Sequence, residues 1–186
     1  VTITAVYDAN VLYPSLLRDL LIRLGVAGAV RARWTGHILD EVFENLVANR
    51  PDLDPRLLAR TRALMNDAIR DAVVGGFEGL IDDLTLPDEN DRHVLAAAIH
   101  AEADVIVTAN LKDFPLELVA EHGIVAQHPD AFLVERLDEN GPIVMAALQQ
   151  ISRSTRNPPL SVDEIITRLD ILGLPALTDR LRSRLR

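Results

Sequence analysis

The sequence predicts an α/β fold, with a central parallel β-sheet flanked by helices and an all-helical segment after it. Three observations carry this. Two short runs, 2–7 and 104–108, are rich in Val, Ile and Thr and are the most strand-like in the chain. Around them stand segments whose apolar residues recur every three or four positions, as helices require. From about residue 129 the strand-like runs stop and only the helical spacing continues. Strands alternating with helices are the pattern of a parallel sheet with helical crossovers.

Residues 2–7 read as a strand, closed by a turn at Asp8-Ala9-Asn10. Pro14 opens a helix with Leu16, Leu17, Leu20, Leu21 and Leu24 on one face, stopping near Gly25 and Gly28. A second helix spans about 36–49, with Ile38, Leu39, Val42, Phe43 and Leu46 apolar, and Pro51 ends it. A third starts near Pro55 and carries Leu57, Leu58, Leu64, Met65 and Ile69. Residues 73–86 are irregular, and 87–92 lead into the apolar stretch 94–99. The strand at 104–108 is apolar throughout its middle, which predicts burial on both faces. A short helix at 116–121 and a short strand at 124–126 follow. Beyond them come helices at 129–140, 141–155 and 161–172, and a last one after Pro175. Ser161 and Glu164 stand at capping-box spacing. The expected division is an α/β domain over 1–130 and a helical C-terminal extension over 131–186.

Composition narrows the function classes. At 186 residues with 48% apolar and 25% charged content, the chain has the make-up of a folded domain with a small appendage. It contains no Cys, which excludes a disulfide framework, a thiolate metal site and a cysteine nucleophile. No apolar run approaches the ~20 residues of a membrane span. The apolar start, 1–7, follows no basic segment, so no secretory signal is expected and a cytoplasmic location is the default. A start at Val1 suggests an initiator Met removed or left uncounted. The net charge is −9, from 19 basic and 28 acidic residues. Residues 130–186 hold eight of each, so the whole deficit lies in 1–129. Such a charge disfavours broad electrostatic binding of RNA and leaves metal-mediated chemistry open.

Several of these acids fall where an α/β sheet places ligands, at the carboxyl ends of its strands. Asp8 follows the first strand and Asp113 comes soon after the second, with Asn10 and Asn110 beside them. Asp91 begins the helix that feeds the second strand, which points it to the same edge. Glu41 lies in the second helix, on the side that carries Asn45. Taken singly, each has a plainer reading. Asp88 suits a helix N-cap with Asp91 in the first turn, Asp8 and Asp113 suit turns, and Glu41 suits a solvated helix face. Taken together, carboxylates gathered at one edge repel one another unless a cation is present. Oxygen donors without Cys suit Mg²⁺ or Mn²⁺.

These motifs, in this order, resemble the PIN-domain nucleases: Asp8-Ala-Asn10 after the first strand, Glu41 in the second helix, Asp88-x-x-Asp91-Arg-His-Val-Leu, and Thr108-Ala-Asn110-Leu-Lys-Asp113-Phe-Pro115. Within that family the chain most resembles the VapC-type toxins of bacterial toxin–antitoxin pairs. The resemblance covers about 2–130, with a weaker one between the helical tail and the extension of longer VapC-like proteins. It implies a PIN-like fold and a Mg²⁺- or Mn²⁺-dependent endoribonuclease. The family's first three acids fall on Asp8, Glu41 and Asp91. The fourth, commonly an Asp two residues after the Thr, is Asn110 here, and Asp113 is expected to supply that carboxylate. Thr108 is expected to orient Asp8, with Asn10, Asp88 and Asn110 in support. The implied partners are RNA (tRNA, rRNA or mRNA), a cognate antitoxin and a second copy of the chain. A competing reading keeps the fold and makes it a catalytically weakened RNA- or protein-binding module, marked by Asn110. A phosphatase with Asp8 as nucleophile would expect an acid at position 10, and Asn10 counts against it.

Other signals are weaker. Arg56, Arg60 and Arg62 on the third helix are candidate RNA contacts, and a solvated helix face explains them equally well. No two of the five His stand four apart as in a helical zinc site. They read as structural or surface residues, with His93 near the site by proximity only. Trp34 is expected to pack.

Overall fold

The computed structural model describes residues 2–186; Val1, the first residue of the expected 1–130 domain, lies outside them. Four strands, β1 (Thr4–Tyr7), β2 (Arg31–Arg33), β3 (Val105–Val107) and β4 (Val125–Gln127), form one sheet in the order β2-β1-β3-β4. Every pairing is parallel. The fold class is therefore the one the sequence predicts. β1 and β3 occupy the centre with all their residues buried, which is why they are continuously apolar. β2 is an edge strand with the pattern exposed, buried, intermediate. It was not expected, because Arg31-Ala32-Arg33 carries no apolar run and its only strand neighbour is β1.

The helices follow their predicted faces except the one that starts at Pro55, where Leu58 and Met65 are buried, Leu57 and Leu64 are exposed and Ile69 lies past the end of the helix. α1 (Ala9–Leu12) is a single turn, and α2 (Ser15–Val26) buries Leu17, Leu20, Leu21 and Leu24. α3 (Gly36–Asn49) is capped by Thr35, whose hydroxyl accepts from the Ile38 N–H at 2.9 Å. α4 (Pro55–Ala68) is capped by Asp54. α5 (Arg92–His100) buries His93 to Ala98 and feeds β3, and α6 (Leu116–Ala120) precedes β4. Trp34 is fully buried, its indole N–H donating to Asn66 Oδ1 at 2.9 Å.

The expected helices at 129–140 and 141–155 are both present, as the two halves of α7 (Pro129–Ser154), which are separated by a kink at Asn140 (φ −131°, ψ 40°). Pro142 explains the break: it has no N–H to give the carbonyl four residues back. α8 (Val162–Ile171) starts on the predicted Ser161–Glu164 capping box, and α9 (Pro175–Leu185) ends the chain. α7 packs on α2, and α8 and α9 pack on α7. Phe132, Leu137, Ile165 and Leu177 join the same hydrophobic core as Val6 and Leu20. The helical tail is thus seated on the α/β layer. Among the described residues, no helix is long and apolar enough to cross a membrane.

Candidate active site

The chain runs from β1 to one side of the sheet and then crosses to β3 on the other. The carboxyl ends of β1 and β3 therefore flank a topological switch point, where a crevice opens in such sheets. Asp8 leaves β1 there, its N–H still bonded to the Val107 carbonyl at 3.0 Å. Thr108 leaves β3 beside it.

Asp8 is only 6% exposed and is held by three donors. Oδ1 accepts from the Ala9 N–H at 2.8 Å. Oδ2 accepts from the Thr108 hydroxyl at 2.8 Å and from Asn10 Nδ2 at 2.9 Å. The buried Thr108 hydroxyl spends its single proton on Asp8. It accepts in turn from Asn10 Nδ2 and from the Asn110 N–H, both at 3.1 Å. Asn10 Oδ1 takes the Ala109 N–H at 2.9 Å. Thr108, Asn10 and Asn110 thus form a small network that fixes one carboxylate. Burial raises the Asp8 pKa; the bonds from Thr108 and Ala9 oppose the rise and Glu41 adds to it.

Asp91 closes the 3-10 turn Glu89–Asp91 at the start of α5. Asp88 does the capping here, accepting from the Asn90 N–H at 2.9 Å, whereas the Asp91 side chain makes no cap bond. The N-cap reading of Asp88 holds, and Asp91 is left to the cleft. The Asp91 pKa is pushed up to about 6, first by burial and then by Asp8, Asp113, Asp88 and Glu41. Four other carboxylates therefore act on one group, as the predicted gathering of acids requires.

Glu41 comes from α3 and accepts from His93 Nε2 at 2.9 Å. His93 is 4% exposed, and its ring stacks on that of His37 with centroids 3.8 Å apart and planes 15° apart. The structure corrects the expectation for these histidines: His93 bonds directly to a candidate site acid. No spacing rule could find it, because the partners are 52 residues apart.

Asp8, Asn10, Glu41, Asp91 and Asn110 line one cleft of about 490 Å³. Tyr13, Asn45 and Asn49 complete its polar wall. Asn45 and Asn49 follow Glu41 at helical spacing, a signal that could have found Asn49. Asp113, in the 3-10 turn Leu111–Asp113, is not in the lining but stands close enough to act on Asp91. Arg56, Arg60 and Arg62 do not line the cleft. Arg62 binds Asp40 at 2.6 Å and the Gly36 carbonyl at 3.1 Å, Arg56 leans on the α4 cap Asp54, and Arg60 is exposed.

Residues 4–112 match the family described as PIN domain. Residues 129–183 match the family described as VapC50 C-terminal domain. Over 83 residues the chain is 41% identical to a Mycobacterium tuberculosis protein named “Putative ribonuclease VapC50”, covering 45% of this chain and 47% of that one. The match thus spans about half the length of that curated relative. No solved structure matches.

Proposed function

This chain belongs to the PIN domain family, and from that premise we propose that it is a Mg²⁺- or Mn²⁺-dependent endoribonuclease, the toxin of a toxin–antitoxin pair. The observation that carries this reading is the meeting of Asp8, Glu41 and Asp91 in one cleft at the switch point. These three acids come from β1, α3 and the start of α5 and have no reason to converge for folding. Their mutual repulsion costs stability in the absence of a cation. An all-oxygen donor set of this kind fits a hard divalent ion. Asp8, Glu41, Asp91 and Asp113 would hold it. When bound, such an ion activates water and neutralises charge on a scissile phosphate.

The chain's own residues supply position. Thr108, Asn10 and the Ala9 N–H aim the Asp8 carboxylate. His93 holds one oxygen of Glu41. The amides of Asn45, Asn49 and Asn110 give the cleft neutral donors against which a phosphodiester can lie without added repulsion. No protein nucleophile is needed. The relative named as a ribonuclease supports RNA as the substrate class. We further propose a cognate antitoxin as the partner that covers the cleft, a second copy of the chain, a cytoplasmic location, and residues 131–186 as an extension of the nuclease domain at 1–130.

Mn²⁺ titration by calorimetry and an RNA cleavage assay on wild type and Asp8→Asn test this reading. Saturable Mn²⁺ binding with cleavage that Asp8→Asn abolishes is expected. Absence of both overturns it. Asn110, where the family commonly has a carboxylate, favours a second reading as a weakened RNA-binding module. RNA binding without cleavage would select that one.

A further inference from the structure

We propose that His37, Glu41 and His93 form a second metal site, selective for Zn²⁺, beside the acidic cleft. His37 and Glu41 stand four apart on α3 and so project from one face a turn apart. This is the spacing at which two side chains of a helix chelate one ion. His93 enters from the first turn of α5. One donor atom from each lies within 4.8 Å of the others.

The detailed distances suit a small tetrahedral ion. Glu41 Oε1 is 2.9 Å from His93 Nε2 and 3.7 Å from His37 Nε2. Zn–N bonds of about 2.0–2.1 Å place tetrahedral donors about 3.3 Å apart. The two distances bracket that separation. The two rings lie parallel at 3.8 Å. Nitrogen lone pairs lie in the ring planes, so those of parallel rings do not converge, and the exposed His37 ring turns out of the stack to share an ion with His93. The His37 side chain is 58% exposed and gives an ion access from solvent, while His93 forms the buried floor.

The buried His93 ring sets the strength of the site. A carboxylate only accepts, so the proton of the His93–Glu41 bond lies on Nε2. That leaves His93 Nδ1 buried without a hydrogen-bond partner among the described residues. An ion at Nε2 moves this proton to Nδ1 and uses the Nε2 lone pair. Because Nδ1 has no acceptor, the site lacks the outer partner that tightens zinc–histidine bonds, which weakens it about 10–100-fold. The site is therefore a reversible one rather than a structural zinc. Two imidazoles and one carboxylate favour Zn²⁺ over Mg²⁺, and water takes the open position.

Glu41 belongs to both sets of ligands. With Oε1 on zinc it is withdrawn from Asp8 and Asp91, so Zn²⁺ opposes the Mg²⁺- or Mn²⁺-dependent reaction. This consequence rests on the nuclease reading above; the binding itself does not.

Titrating ZnCl₂ into the full chain by calorimetry, in excess Mg²⁺, tests the site. One Zn²⁺ per chain is expected, with affinity lowered about tenfold or more in His37→Ala. Asp91→Asn is expected to leave it within about threefold, since Asp91 is not a ligand of this site. His37 is exposed, so its removal spares the fold; circular dichroism checks this. Absence of saturable Zn²⁺ binding overturns the proposal. So does binding that survives His37→Ala and disappears in Asp91→Asn, because zinc then sits among the acids. Substituting Co²⁺ gives a second readout, the visible absorption of a tetrahedral ion, present in wild type and lost in His37→Ala. Where RNA cleavage is measurable, Zn²⁺ inhibits it, and His37→Ala raises the inhibitory concentration about tenfold relative to that variant's own zinc-free rate. Zinc binding without inhibition supports the site and overturns its control of cleavage.

Discussion

The hydroxyl of Thr108 donates to Asp8 Oδ2 at 2.8 Å, joining the ends of the two central strands through one short bond. Both residues are buried and stand 100 positions apart. The bond opposes the burial that raises the Asp8 pKa. Thr108→Val removes the donor, keeps the strand geometry and leaves a buried carboxylate short of a partner. A loss of about 1–3 kcal/mol is expected, read by urea unfolding. Mn²⁺ affinity by calorimetry should fall about tenfold. Thr108→Ser, which keeps the hydroxyl, should recover most of both; if it does not, the hydroxyl is not the cause.

Asp91 predicts a pH dependence. Its pKa is raised in the fold to about 6 from an ordinary 3.8, so its ionised form opposes folding. The penalty is absent below about pH 3.8 and complete above about pH 6. Asp91→Asn should therefore stabilise the metal-free chain at pH 7.5 and lose that advantage as pH falls toward 4. Discounted for solvent screening, the gain is about 1 kcal/mol, or about 2–4 °C in Tm for a chain of this size. Differential scanning calorimetry across that window checks it. Saturating Mn²⁺ should reverse the order, with wild type the more stable.

The replacement of the usual acid by Asn110 gives a third test. Asp113 acts on Asp91 from outside the cleft lining, whereas Asn110 lies in it. Asp113→Asn should weaken Mn²⁺ binding about tenfold. Adding Asn110→Asp to that variant should restore it, because a carboxylate then stands in the wall itself. Calorimetric titration of the three proteins decides the point. No recovery in the double variant would mean that position 110 does not face the ion.

The seat of the helical tail provides a prediction independent of the site. Leu174 cannot cap α9, and Asp130 at the start of α7 does so instead. Its two oxygens accept from the Ala176 and Leu177 N–H groups at 3.0 and 2.8 Å. Asp130→Ala should cost about 1–2 kcal/mol and leave Mn²⁺ affinity unchanged. Thermal unfolding with a parallel titration measures both.

The elements differ in how legible they were. β1 and β3 stood out because a strand buried on both faces must be apolar at every position. β2 was invisible because an edge strand with outward arginines is held by its backbone pairing to β1, which no side-chain pattern records. The division of α7 between residues 140 and 141 was placed rightly, and Pro142 just past the kink is its physical cause.

By itself the sequence determined the α/β order, the buried faces of α2 and α3, the Ser161–Glu164 cap, and the acids Asp8, Glu41 and Asp91 as a set. Each depends on local spacing or on motif order, and both survive in one dimension. Only the tertiary structure decided that His93 grips Glu41, that His37 stacks on it, and that Asp130 closes α9. Buried polar groups take whatever partner the packing brings within about 3 Å. Those partners come from segments far apart in the chain, and the sequence holds no periodicity that joins them.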